Sequence, residues 1–260
     1  MEGLNYDQIC ADILEQINKA RASPEDFMVK VQERLNSYDG KNFTVDDQVY
    51  QSFEGEEAPK EAIAALQITQ PKEQLERCAG LDQAAADLAS YLGETGEVSH
   101  TGKDGTRMGD RISAHGKWTG KIGEIIGVQP ESGLNFVLQW IIDDGVKTRG
   151  DRKSILSPDF TRVGIAACPH KTYKTVAVVV FSEAFAGEGE TLPEPEVKEN
   201  PDLIKSLPDG LNELPDDAKG MTVKKNMTQI DGQWTTKFII TYQLNDGGER
   251  VLEKEYPGKK

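Results

Sequence analysis

The chain has 260 residues, enough for one good-sized domain with an appendage or for two small domains. Its formal net charge of -14 repels phosphate backbones and anionic lipid surfaces, and no Lys/Arg run alternates with aromatics, so nucleic-acid binding is set aside as a working class. Cys10, Cys78 and Cys168 stand far apart, with no Cys-x-x-Cys pair, which argues against a cysteine zinc site and against a disulfide framework.

Ile9, Ile13, Leu14 and Ile17 recur with helical period and predict an amphipathic helix over residues 5–21. This N-terminal segment has no basic stretch, no apolar stretch and no small-residue cleavage site, so the expectation is a reduced, cytoplasmic protein. The longest apolar run, residues 176–181, is too short to cross a bilayer. Ser23-Pro24-Glu25-Asp26 predicts a second helix to about residue 35: a serine cap, proline at the first position, acids in the first turn. Asp39-Gly40 reads as a turn and residues 46–57 as polar loop. Helices follow at 59–66 and 81–92, the second with Leu81, Ala85, Leu88 and Leu92 on one face.

Thr106 is placed to cap a helix ending at His115-Gly116, with the glycine expected in the left-handed position beyond it. His115 then interacts with the helix dipole. Residues 121–128 predict a strand and 130–144 a helix, with Leu134, Leu138, Ile141 and Ile142 near one stripe. Strands at 163–168 and 175–185 are expected to meet at a Pro169-His170 turn, leaving His170 in solvent. The β-branched run 175–181 predicts a central strand covered on both faces. After Gly187 the composition turns acidic and proline-rich, predicting a linker over 188–220. Residues 221–260 form a β-rich appendage, with turns at Asp231-Gly232 and Asn245-Asp246-Gly247-Gly248. An antiparallel meander is expected there, its face formed by Phe238, Ile240 and Tyr242. That face is too small to be stable alone, so docking on a partner is favoured over docking on the rest of the chain.

Five motifs occur in order: INKARASP with Asn18, Arg21 and Ala22; LDQAAADLA; SHTGKDG with His100; GEIIG with Gly123 and Glu124; and SILSPDFTRVGIA. Together they resemble the CAP superfamily (cysteine-rich secretory, antigen 5 and pathogenesis-related proteins) in a disulfide-poor form, over about residues 6–185. The resemblance implies an α+β fold, a three-layer α-β-α sandwich over residues 1–187, with the meander outside it. It also implies a cleft built from two histidines and two acids that holds a divalent cation in some members. Carried over residue by residue, the cleft is His100, Glu124, Asp143 and Asp151, with His100 and Glu124 as the metal ligands. The family's second histidine stands in Gly-His-Arg, whereas this chain has Gly150-Asp151-Arg152. One imidazole among carboxylates moves the preference from zinc toward a harder cation, or leaves no metal site.

Three functions remain open on the sequence. A non-enzymatic binding module would take a protein or a small hydrophobic molecule of sterol or fatty-acid type, as the resemblance implies. A structural component of an intracellular assembly would use the appendage, whose edge strands can pair with a partner strand. A metal-assisted hydrolase would use Glu124 as base and His100 as ligand or acid. Against the last, Ser99 lies in no nucleophile elbow, and neither Gly-x-Ser-x-Gly nor His-Glu-x-x-His occurs. No resident cofactor is expected beyond that cation.

Overall fold

A computed structural model describes residues 3–192, 215–230 and 233–257. The chain divides into two compact units, Met1–Pro193 and Glu194–Lys260. Most of the acidic, proline-rich stretch expected as a linker lies outside the described residues, as does the Asp231-Gly232 turn.

The first unit is a three-layer α-β-α sandwich. Its central sheet has the order β4 (Glu76–Arg77), β6 (Arg162–His170), β7 (Lys174–Ala186), β5 (Lys117–Val128). The β4–β6 pair is parallel and the other two pairs are antiparallel. On β7, Val176, Val178 and Val180 pack with Leu81, Leu88 and Leu92 of α4 (Ala79–Thr95) and Ile112 of α5 (Met108–His115). The intervening Ala177, Val179 and Phe181 pack in the opposite layer with Ile13 and Ile17 of α1 (Tyr6–Ala22) and Phe136 of α6 (Gly133–Ile142). A strand covered on both faces needs apolar side chains at both parities, hence its unbroken β-branched run. Helices α2 (Pro24–Leu35) and α3 (Glu57–Ile68) complete the second layer, with α7 (Gly150–Ile155) at its end.

Arg21 and Asn18 tie that layer together. Arg21 is fully buried and donates to the carbonyls of Glu73, Ile155, Ser157 and Phe160 at 2.7–3.1 Å. Asn18 exchanges two hydrogen bonds with the backbone of Leu75. Gly164 lets β6 approach α4 closely: a Cβ there would lie 2.0 Å from the carbonyl carbon of Leu81.

Several local expectations are corrected. The stretch read as loop contains β3 (Gln48–Gln51), which pairs with β2 (Asn42–Val45), itself paired with β1 (Tyr38–Asp39). The β2–β3 turn is Asp46-Asp47, both at positive φ, doing what Asn-Gly does elsewhere. Helix α5 is not capped by Thr106; the Asp110 carboxylate accepts the Arg107 N–H instead. Gly116 is extended rather than left-handed, and it is glycine for space, since a Cβ would meet Phe185 and the Ala186 carbonyl at 2.5 Å. His115 does more than meet the helix dipole, because its Nε2 lies 2.7 Å from Asp87 on α4. Pro169 and His170 belong to β6, and the turn is the following Lys171-Thr172-Tyr173. Proline is tolerated there because β4 covers β6 only at Arg162 and Val163. His170 is 3% exposed: its Nδ1 accepts the N–H groups of Thr172 and Tyr173, and its Nε2 donates to the Glu97 carbonyl. Ser23 precedes α2 without a side-chain cap bond.

The second unit is an antiparallel meander of order β10 (Glu249–Pro257), β9 (Gln233–Leu244), β8 (Ala218–Ile230). Phe238, Ile240 and Tyr242 share one buried face with Ala218 and Val223. Arg250 pairs with both oxygens of Asp217 and lies over the Tyr242 ring.

Candidate functional site

Two adjoining features of the first unit carry chemistry. One is a polar pair beside α5. Strand β5 alternates, so Glu124 shares a face with Ile122 and Ile126, whose side chains pack in the α4–α5 layer. Arg111 of α5 reaches Glu124 there: its Nη2 lies 2.6 Å from one Glu124 oxygen, and the other oxygen meets His100 Nδ1 at 2.9 Å. The Glu124 side chain is 2% exposed and that of His100 is 66% exposed. Arg111 also donates to the Thr106 carbonyl, which fastens the loop carrying His100. The hydrogen bond to Glu124 holds the His100 pKa above the ordinary imidazole value, against partial desolvation and the Arg111 charge. The neighbouring Ser99 hydroxyl accepts the Thr101 N–H and so serves the turn.

The sequence-predicted acids divide. Asp143 ends α6 in the left-handed conformation, at φ +56°, and is buried. Its carboxylate accepts the N–H groups of Asp151 and Arg152 and so caps α7. Asp143 is therefore a scaffold for Asp151 rather than a free rim ligand. The Asp151 side chain makes no hydrogen bond among the described residues. Burial, followed by the charge of Asp143, pushes its carboxyl up to about 7, with His100 opposing. His100, Glu124 and Asp151 thus form one electrostatic neighbourhood.

A divalent cation does not fit this donor set. Both Glu124 oxygens are engaged, one of them by a buried guanidinium. Among the described residues, no group of three or more His, Cys, Asp or Glu side chains is placed to hold a metal ion.

The second feature was not anticipated from the sequence. A cavity of about 610 Å³ opens between the β1–β3 sheet, the end of β5 and helix α6. Its walls include Tyr38, Phe43, Tyr50, Phe53 and Trp140, and Asp151 stands at its lining. Tyr38, Phe43 and Tyr50 stack in series across the three strands, with centroids 5.0 and 5.5 Å apart. At the mouth Phe53 and Val49 are 78% and 70% exposed. The Phe53 segment is fixed from below: Asp144 accepts the N–H groups of Phe53 and Glu54, and Glu54 accepts the Gly145 N–H. Arg149 pairs with Glu54 and Glu61, locking the same segment to the α6–α7 connection. The signal that could have revealed this wall is the spacing of Tyr38, Phe43 and Tyr50 around two short turns.

The three cysteines are free, and burial raises each thiol, Cys10 and Cys78 to about 11. Among the described residues no helix is long and apolar enough to cross a membrane.

Comparison with known proteins gives three results. The family model for CAP, the cysteine-rich secretory protein family, matches residues 14–181. Curated proteins give no match. Among solved structures, an outer surface protein from Borrelia burgdorferi is similar at 23% identity and a TM-score of 0.36, over 43% of this chain and 78% of that one. An extracellular protein containing an SCP domain from Bacillus anthracis str. Ames is similar at 19% identity and a TM-score of 0.35, over 43% of this chain and 34% of that one.

Proposed function

This chain belongs to the CAP family, and from that premise we propose that it is a non-enzymatic binding module for a small, largely apolar ligand. The observation that carries this reading is the cavity of about 610 Å³ walled by Tyr38, Phe43, Tyr50, Phe53 and Trp140. Its size falls in the range of small-molecule sites, about 300–1,000 Å³. The exposed apolar rim of Val49, Phe53 and Val146 is surface that a ligand would remove from water. The wall is held in place by Asp144 and Arg149, so binding need not order it.

The polar pair beside α5 fits positioning better than hydrolysis. Glu124 is consumed by Arg111 and His100, and the Ser99 hydroxyl is turned to backbone. A hydrolase needs nucleophile, base and oxyanion donors around one point.

The test is direct titration of the full chain with a neutral apolar probe, N-phenyl-1-naphthylamine, followed by its fluorescence. Saturable binding is expected, and it should be lost in Val146→Trp, which fills the mouth from a half-exposed position. No saturable binding, or equal binding by the plugged variant, overturns the reading.

A further inference from the structure

We infer that the cavity selects an organic cation: an amine or ammonium group on an apolar, preferably aromatic, body, with the cationic end at Asp151. The inference rests on the reading of the cavity as a small-molecule site and specifies the ligand class.

The cavity lining leaves charge uncompensated; His100, outside the lining, offsets the charge of Asp151 only in part. The lining contains the acids Asp46, Glu131, Asp143, Asp144 and Asp151 against one cation, Arg34. Three of these acids are already occupied. Asp143 caps α7, Asp144 holds the Phe53 and Glu54 backbone, and Glu131 pairs with Lys174 at 2.9 Å. Asp46 lies on the exposed β2–β3 turn, where water solvates it. Asp151 is the wall acid that is partly buried and has no hydrogen-bond partner among the described residues. A desolvated carboxylate lacking a partner is costly, and an ammonium ligand would supply both charge and donors.

The aromatic part of the lining suits the same ligand. Aromatic faces attract cations and stack on apolar bodies. The Phe43 face already holds one, since the Arg34 guanidinium lies 5.4 Å from its centroid. Arg34 is itself hydrogen-bonded to Asn135, so it is built into the wall and does not reach over to neutralise Asp151. A carboxylate ligand, such as a fatty acid, would bring a second negative charge toward an acid wall and is disfavoured.

Three matched probes test this: 4-phenylbutylamine, 4-phenylbutanol and 4-phenylbutyrate, titrated calorimetrically into the full chain at pH 8. The amine should bind at least about tenfold tighter than the alcohol, the usual worth of a charged hydrogen bond in a partly buried site, and the carboxylate weakest. In Asp151→Asn the amine-to-alcohol ratio should fall to near one. Circular dichroism of the variant establishes that it is folded. Equal affinities for all three probes would overturn the cation inference while leaving the apolar-ligand reading standing. An amine preference that survives Asp151→Asn would overturn the assignment to Asp151. Failure of every probe to bind would bring down the apolar-ligand reading itself, and this inference with it.

Discussion

The Glu124 carboxylate and the Arg111 guanidinium are both buried and meet at 2.6 Å, one reaching from β5 and the other from α5. The pair occupies the place where the family resemblance leads one to expect a metal ligand. Removing Arg111 leaves the buried Glu124 charge with only the exposed His100 imidazole beside it, and breaking a buried pair in this way costs about 3–5 kcal/mol. Arg111→Met should therefore lower the stability of the first unit by about that amount, read by urea unfolding. The double variant Arg111→Met/Glu124→Gln should recover part of the loss, because no buried charge is left uncompensated. A single variant as stable as the parent would contradict the buried-pair account.

Arg21 makes a second prediction of the same kind. Its guanidinium satisfies four carbonyls from two separate stretches, Glu73 and residues 155–160. Arg21→Met should cost at least about 3 kcal/mol, since buried acceptors lose charged donors. Arg21→Lys should restore little, because a single ammonium cannot span the fork. Thermal melts of both variants would settle the matter, and a lysine variant melting with the parent would refute it.

The parts of the fold that could be read from sequence are those where burial writes a period. Helices α1 and α4 show their apolar faces directly, and β7 shows the unbroken run of a doubly covered strand. The pairing of His100 with Glu124 lies 24 residues apart in sequence and came from motif resemblance, not periodicity. Arg111 was illegible, because an arginine on a short helix reads as solvated until the strand opposite it is known. The β1–β3 sheet was missed because its strands are at most four residues long and its turn is Asp-Asp. Since these strands form the aromatic wall, the cavity was hidden with them. His170 misled because a proline beside it signals a turn, yet β6 runs one residue past that proline at an uncovered edge.

The site groups impose a pH dependence of definite sign. His100 is held above 6.5, chiefly by its bond to Glu124, so its contribution is complete below 6.5 and lost as pH rises through its folded value. Asp151 is raised by burial from 3.8 to about 7, so the folded chain holds that proton more tightly and stability falls as pH rises across this interval. Asp143 is raised by burial and acts in the same direction. Glu54 and Glu61 oppose them on the acid side. Their hydrogen bonds from Arg149 lower both, Glu54 to about 2, so their contribution is present above 4.5 and lost as pH falls. Stability should therefore peak near pH 4.5, decline toward pH 7 as Asp151 ionises, and fall further as pH rises through the folded His100 value. Asp151→Asn should flatten the decline between about pH 4.5 and 7. Urea midpoints across pH 3 to 9 provide the check, and a rise from pH 6 to 8 would contradict the expected sign.

The last prediction concerns the division at residue 193. Both apolar clusters of the sandwich are made from residues before Gly187, and the meander carries its own cluster around Ile240. The sandwich is thus complete in core and in backbone pairing within Met1–Pro193. A chain ending at Pro193 should unfold in one cooperative transition and keep the binding of the apolar probe, because every lining residue of the cavity is retained. The meander by itself has three strands and, among the described residues, five buried side chains, which is near the lower limit for an independent sheet. Residues 194–260 alone should therefore melt broadly and exchange their β9 amides fast. If instead the shortened chain loses its cooperative transition, the second unit supplies part of the first unit's stability, and the two must be treated as one folding unit.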